Sequence, residues 1–278
     1  MSQIKIVTDS ASDLPEHLLE KYDITMIPLT VMFNGIEYKD RVDLTMDEFY
    51  DKLVNGSDLP TTSQVNPEQY LEVFNKYLAE DREILVVGIS LKLSGTLQSA
   101  QIAKDMLNSD KIHIFDSGSA SLGEGLCVLK AAERVAAGDS IDQVLEHLTK
   151  HREIANGLIV LDSLQHLVRG GRLSRSQALL GSVLNIKPIL SISNGEITVM
   201  EKVRSQKRAL NVMIERIKEL GVDLSQRTIG IAHTQCLDLA NDFAELVRQE
   251  FQPKDIVIHI GGATIGTHVG TGGIGIFY

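Results

Sequence analysis

The chain has 278 residues, of which 43% are hydrophobic, and a formal net charge of −10 at pH 7. This length and composition predict about two domains with a sizeable core. The negative charge argues against nucleic acid or an anionic membrane surface as the main partner. Cys127 and Cys236 form no CxxC pair, so we expect small buried side chains rather than a disulfide scaffold or a zinc site.

No apolar run reaches the length of a membrane span, which argues against stable membrane insertion. The first ten residues, MSQIKIVTDS, have the character of a strand and lack the charged and then apolar pattern of a signal peptide. We therefore expect a cytoplasmic protein.

The first half of the chain alternates strand and helix signals. Apolar runs predict strands at residues 4–7, 24–33, 84–90 and 112–115. Helix starts are indicated by Asp13 with Pro15 and Glu16, by Thr45 with Glu48, and by Asn66 with Pro67 and Gln69. Asn34-Gly35 predicts a hairpin into residues 36–38. Two further helical stretches run to about residue 153, where a first domain, residues 1–153, is expected to close.

The second half repeats this alternation. Strands are predicted at residues 157–161, 187–193, 196–201, 228–232 and 256–260. Helices are predicted at about 205–220 and 237–250, with a shorter one that stops at Gly170-Gly171. These patterns predict an α/β fold of two lobes in contact, the second formed by residues 154–278.

The glycine-rich tail contains a partial nucleotide-binding pattern. Residues 270–275 match GxGxxG, but three residues follow them and no helix can open there. A dinucleotide site needs that helix to hold pyrophosphate, so this interpretation fails. We expect the glycines to allow close approach of the backbone to a ligand or to another strand.

Two hydroxyl-bearing stretches are candidate anion sites. Thr61, Thr62 and Ser63 precede a helix start and offer neutral donors, although such residues also serve simply as caps and turns. Ser94 stands at a strand-to-helix turn and can be an anion ligand, the N-cap of the next helix, or a nucleophile with His268 as base. The GxSxG elbow of serine hydrolases is missing around it.

Other polar residues have competing interpretations. Arg172 follows two glycines and can reach a carboxylate or a partner protein, or be a solvated side chain. His147 and His151 are spaced for a metal on a helix, but neither HExxH nor a carboxylate accompanies them, so a solvated face is favoured. Asp13 is assigned to capping, and Asp9 has no catalytic assignment.

Six motifs in order carry a resemblance to the DegV family, nearly from end to end of the chain. They are Asp9-Ser10 with Asp13-Leu14, Thr62-Ser63-Gln64, Leu93-Ser94-Gly95-Thr96 with Gln98 and Ser99, Gly170-Gly171-Arg172, Lys187-Pro188, and Gly266-Thr267-His268-Val269-Gly270. The resemblance implies two α/β lobes that bind one long-chain fatty acid between them. Proteins of this kind resemble the fatty-acid-binding subunit of bacterial fatty acid kinase.

The resemblance also implies roles for particular residues. Thr62 and Ser94 would hold the acyl carboxylate, and Arg172 would support the head group or a partner. Residues expected to line or support the head-group site are Thr61, Ser63, Gly95 and His268. The sequence departs from the family at Val65 and Thr271, where the family has prolines, and neither change removes a proposed donor.

The implied function is a carrier without turnover or cofactor of its own. It would present the carboxylate to a separate dihydroxyacetone-kinase-like catalytic protein for acyl phosphate formation in phospholipid synthesis, with an acyltransferase as a further partner. The alternatives are a serine hydrolase acting on acyl substrates through Ser94 and His268, and a ligand-sensing interaction protein. A tail of roughly sixteen carbons gains on the order of 10 kcal/mol gross from burial. Because the chain lacks Trp, we expect a tunnel of Ile, Leu, Val and Met.

Overall fold

The structure is a computed structural model that describes residues 3–56, 59–173 and 186–278. Within them the strands are Ile4–Asp9 (β1), Thr25–Ile27 (β2), Thr30–Phe33 (β3), Ile36–Lys39 (β4), Thr61–Ser63 (β5), Glu83–Gly88 (β6), Ile112–Asp116 (β7), Gly157–Val160 (β8), Lys187–Ser193 (β9), Glu196–Val203 (β10), Thr228–His233 (β11), Asp255–Ile260 (β12) and Ile274–Phe277 (β13).

The helices in the same residues are Glu16–Lys21 (α1), Met46–Asn55 (α2), Pro67–Ala79 (α3), Thr96–Leu107 (α4), Leu122–Ala136 (α5), Ile141–Ile154 (α6), Gln165–Arg169 (α7), Gln206–Glu219 (α8), Leu237–Phe251 (α9) and Ala263–Val269 (α10). A short 3-10 turn, Ser10–Ser12, follows β1.

Three sheets organise these elements. A parallel sheet has the order β2-β1-β6-β7, and a small antiparallel sheet has the order β4-β3-β5. The third sheet has the order β10-β9-β8-β13-β11-β12, in which β11 and β12 are parallel and the other pairs are antiparallel. The predicted α/β architecture is therefore confirmed.

Helix α5 packs between the parallel sheet and the six-stranded sheet. It contacts β1 and β6 on one side and β11 and β13 on the other. Gly230 in β11 permits this approach, because a Cβ added there would lie 2.8 Å from the Cβ of Leu122. The close packing fixes the two sheets relative to each other, and a cavity opens where their loops meet.

Local signals predicted several boundaries correctly. Capping boxes form at Thr45 with Glu48 and at Asn66 with Gln69, as expected. The prediction of one strand over residues 24–33 is wrong, because Pro28 separates β2 from β3 and the two strands join different sheets. Proline lacks the N–H that a continuous ladder needs.

The tail contains a helix that the glycine pattern concealed. Residues 263–269 form α10, and β13 that follows lies inside the six-stranded sheet between β8 and β11. Gly270 ends α10 with a φ of 76°, and a Cβ there would lie 2.8 Å from the ring of His166. Gly270 therefore makes room for a histidine ring on α7, and not for a ligand or another strand as expected.

Candidate functional site

A cavity of about 320 Å³ lies between the parallel sheet and the six-stranded sheet. Its apolar walls are Leu29, Ile89, Leu93, Ala120, Ile159, Leu167, Ile192, Ile197, Ile265, Val269 and Phe277. Its polar lining is Thr62, Ser63, Gln64, Ser94, Gly95, Ser121, Arg172, Thr264 and His268. Among the described lining residues there is no methionine, so the prediction of a tunnel that includes Met is wrong for this part of the chain, and Phe277 is the unexpected large side chain.

Strand β5 presents Thr62 to this cavity. Thr62 pairs with Val31 in the small sheet, and its Oγ1 lies 2.9 Å from Nε2 of His268 on α10. Ser63 also lines the cavity. Thr61 is exposed and is not among the lining residues. Within the described part of the chain, Thr62 is the hydroxyl of this stretch that bonds to His268. We call the part of the cavity formed by Thr62, Ser94, Arg172 and His268 its polar end.

Ser94 lies in the turn between β6 and α4. Its Oγ lies 2.9 Å from Oγ1 of Thr96 and accepts a hydrogen bond of 3.3 Å from the Thr96 amide. The N-cap position of α4 is Gly95, one residue after Ser94, while the Ser94 hydroxyl accepts from the first amide of the helix, so the capping alternative is right in function and wrong by one residue in position. Gly95 is needed for space, because a Cβ there would lie 2.2 Å from Oε1 of Gln64.

The hydrolase alternative requires a hydrogen bond from the serine to its base. Among the described residues, Nε2 of His268 is bonded to Thr62, and no hydrogen bond joins it to Ser94. The nucleophile arrangement is therefore unsupported in this structure.

His268 is held as a neutral imidazole. Burial first, and then the positive charge of Arg172 and the neighbouring His166, lowers its pKa to about 4. Its Nδ1 is buried and lacks a hydrogen-bond partner, and Gly170 leaves the room for the ring, since a Cβ there would lie 2.2 Å away. The ring can orient the Thr62 hydroxyl without carrying a charge.

Arg172 bridges the two loops at the polar end. Its Nε donates to the carbonyl of Leu93 at 2.9 Å, and its Nη1 donates to the carbonyl of Gly170 at 2.6 Å. The described residues place no carboxylate within ion-pair distance of it. Among the described residues, the guanidinium is anchored by these two backbone carbonyls, so the alternative of a simply solvated arginine is wrong.

Two buried acids that lie far away in sequence hold helix α10 in place. The Asp40 carboxylate accepts from the Ala263 and Thr264 amides at 2.9 and 3.1 Å, and the Asp13 carboxylate accepts from the Gly262 amide at 2.8 Å. Negative charge at a helix N-terminus is favourable. Both acids are fully buried.

The assignment of Asp13 to capping α1 is wrong, because α1 begins after Pro15 and has no side-chain cap. Asp13 instead accepts a hydrogen bond of 2.5 Å from Ser121, and burial raises its pKa to about 7. Asp9 accepts from the Ala11 and Ile89 amides and shapes the loop before Ser94. The sequence did not indicate that Asp13 and Asp40 hold α10, because the amides they accept from lie more than 200 residues later in the chain.

Within residues 3–56, 59–173 and 186–278, no helix is long and apolar enough to cross a bilayer, and no cluster of His, Cys, Asp and Glu suits a metal ion. His147 lies 3.8 Å from the carboxylate of Asp139. His151 is partly buried with an unpartnered Nε2, so the prediction of a solvated face is wrong for this residue.

Comparisons with known proteins agree with the fold. A family model described as uncharacterised protein, DegV family, matches residues 3–278. A DegV domain-containing protein of Caldanaerobacter subterraneus is 40% identical, with 100% of this chain and 99% of that protein covered.

Two solved structures are similar over 100% of this chain and 99% of theirs. One, described as fatty acid binding of a DegV family protein from Thermus thermophilus, has a TM-score of 0.92 and 31% identity. The other, described as DegV, a fatty acid binding protein from Bacillus subtilis, has a TM-score of 0.89 and 32% identity. The chain therefore belongs to the DegV family.

Proposed function

We propose that this protein binds one long-chain fatty acid in the cavity and carries it in the cytoplasm. The observation that supports this most directly is the division of the cavity into a hydroxyl-lined polar end and long apolar walls. Such a division matches a carboxylate joined to an alkyl chain. The similar proteins described as binding fatty acids support the same ligand class.

The head group would be held at Thr62 and Ser94. Each hydroxyl can donate to a carboxylate oxygen, and His268 would orient the Thr62 hydroxyl from 2.9 Å. Ser63, Gly95 and Arg172 would complete the polar end, and Thr61 would support β5 from outside it. Hydrogen bonds to an ionised acceptor are stronger than those between neutral groups, so two hydroxyls provide useful orientation.

The carboxylate would be presented to a separate kinase for acyl phosphate formation. Arg172 supports this part of the proposal, because its guanidinium lines the polar end of the cavity, where the carboxylate would be held. We assign no turnover to the protein alone. We also propose that its two domains are residues 1–153 and 154–278; all six strands of the largest sheet lie after residue 154.

Native mass spectrometry of the purified protein tests the binding proposal. We expect a mass excess of one fatty acid, removed by delipidation and restored by added oleate. A delipidated protein that takes up no fatty acid would contradict the proposal.

The kinase step needs a separate test with the catalytic partner and ATP. Acyl phosphate should form with the intact protein, and Arg172→Ala should reduce its formation more than it reduces fatty acid binding. Binding without acyl phosphate would favour a sensing role, and labelling of Ser94 by a fluorophosphonate with ester turnover would favour the hydrolase.

A further inference from the structure

A second cavity, of about 250 Å³, lies between α5, α6 and the loops that precede β11 and β12. We call it the basic cavity and define it by the side chains Lys130, His147, Lys150, His151, Arg227 and Lys254. None of these residues lines the cavity described above. The chain as a whole has a net charge of −10, so this local group of cations has the opposite sign to the rest of the molecule.

Most of these cations lack a protein counter-ion. Lys150 forms an ion pair of 2.6 Å with Glu146. Within the described ranges, Lys130, Arg227 and Lys254 have no carboxylate within ion-pair distance. The acids among the lining residues are Glu133 and the α-carboxylate of Tyr278. Three unpaired cations against these two carboxylates leave a net charge of about +1 before the histidines are considered.

Buried polar atoms next to the basic cavity also lack partners. Tyr278, which lines it, is 2% exposed, and its hydroxyl has no hydrogen bond. The Nε2 of His151 is likewise buried and unpartnered. Burial, followed by the charges of Lys130 and Arg227, lowers the pKa of His151 to about 4, so this ring stays neutral. Native proteins satisfy most buried polar groups, and a ligand is one way to do so.

The remaining walls are apolar. Leu126, Leu129 and Ile154 line the basic cavity beside the cations. An inorganic ion would leave these side chains without a contact, whereas an organic anion would cover them. The volume is close to the lower end of the range for small-molecule pockets.

We infer that the basic cavity is a second ligand site, which binds a small organic phosphate with its phosphoryl group between Lys130, Arg227 and Lys254 and its apolar part on Leu126 and Ile154. A phosphoryl group carries about two negative charges at neutral pH, and three cations without a carboxylate partner would attract it. Arginine and lysine are the usual protein partners of phosphate. This site is independent of the proposed fatty acid cavity.

Calorimetric titration with phenyl phosphate tests the inference. We expect saturable binding to the intact protein, and an affinity at least tenfold lower in Lys130→Met with Arg227→Met, which removes two charges and keeps the aliphatic stems. Lys207→Met, at an exposed position away from the cavity, is the matched control and should bind normally. Inorganic phosphate and benzoate should both bind more weakly than phenyl phosphate.

Acetylation footprinting of the unmodified protein gives a second readout that needs no variant. Phenyl phosphate should protect Lys130 and Lys254 from acetylation and leave Lys207 reactive. Absence of binding, absence of protection, or full affinity in the double variant would overturn the inference. Binding lost in Thr62→Val with Ser94→Ala instead would place the anion in the other cavity and overturn it equally. Benzoate binding as tightly as phenyl phosphate would overturn the assignment to phosphates.

Discussion

The two cavities of this molecule differ in how they would hold an anion. The first has hydroxyls, a neutral imidazole and long apolar walls at its centre, with one arginine anchored to backbone carbonyls at the polar end. The basic cavity has several lysines and an arginine over a short apolar floor. In the first, burial of a long apolar tail would dominate affinity, whereas in the second charge would dominate it.

The cost of desolvation explains why the first cavity has mainly neutral donors and the basic cavity has cations. Burying an unpaired cation costs several kcal/mol, by order of magnitude, so a deep site favours neutral donors. Cations on exposed side chains keep much of their hydration, and Lys150 and Lys254 of the basic cavity are exposed. We therefore expect contacts with the apolar tail to contribute most to affinity in the first cavity, and charged side chains to contribute most in the basic cavity.

Blocking the apolar wall should have the largest effect on fatty acid binding. Ala120 is 8% exposed and lines the first cavity, so Ala120→Phe would occupy space needed by the tail. At about 0.8 kcal/mol per methylene, displacing about four methylenes weakens binding by about 3 kcal/mol, or roughly a hundredfold. Competition with a fluorescent fatty acid measures this change.

The matched control for that variant is Ile102→Phe, since Ile102 is 50% exposed and lies outside the cavity. It should bind fatty acid normally. Phenyl phosphate binding should be intact in both variants. If Ala120→Phe retains fatty acid like the unmodified protein, the tail does not follow this wall.

Removing the two head-group hydroxyls should have a somewhat smaller effect. Thr62→Val with Ser94→Ala deletes two donors while the apolar walls remain, and we expect a loss of about 2 to 3 kcal/mol in fatty acid binding. Thr62→Ser keeps a hydroxyl near His268 and should retain most of the affinity. Unchanged occupancy in the double variant, measured by native mass spectrometry, would contradict the proposed head-group site.

The buried support of helix α10 predicts a pH effect on stability. Because the pKa of Asp13 is raised to about 7 in the folded state, the stability linked to its protonated form is fully present at low pH and is lost as pH rises towards 7. Asp13→Asn keeps an acceptor for the Gly262 amide and cannot ionise. Its free energy of unfolding relative to the unmodified protein should rise by about 2 kcal/mol between about pH 5 and pH 7.

Chemical denaturation at several pH values measures this difference. Asp47→Asn, at an exposed position on α2, is the control and should show no such trend. A difference that is flat with pH would mean that Asp13 is ionised throughout this range in the folded protein.

Local sequence signals determined much of the fold. Asn66 with Gln69, and Asn194-Gly195 between β9 and β10, act over a few residues, so their outcome could be predicted. The place of β13 could not, because its position inside the largest sheet depends on pairing with β8 and β11, far away in the chain. The helical region at 263–269 was hidden by glycines and is stabilised by Asp40 from the other end of the sequence.

In the candidate site, too, local features could be predicted from the sequence and long-range contacts could not. Thr62 and Ser94 were predicted from hydroxyls next to helix starts together with a family resemblance, and both line the first cavity. The bond between Thr62 and His268 spans 206 residues, and sequence spacing carries no information about it. Tyr278 and His151 are far apart in sequence and come together at the basic cavity only through tertiary packing. The sequence therefore gave no indication of this cavity.

Salt should change fatty acid affinity least of all. The difference in salt dependence between the two ligands tests whether charge controls binding in one cavity and not in the other. Screening weakens interactions between exposed charges and acts less on buried, neutral donors and apolar contacts. Raising the sodium chloride concentration from low to high should therefore change fatty acid affinity by less than about twofold, while phenyl phosphate affinity falls by about tenfold. Chloride also competes directly for Lys130 and Arg227, which strengthens the second trend. Parallel titrations of the two ligands measure both responses. Equal salt dependence would show that charge controls both sites, and that the neutral hydroxyls at Thr62 and Ser94 are not what holds the carboxylate.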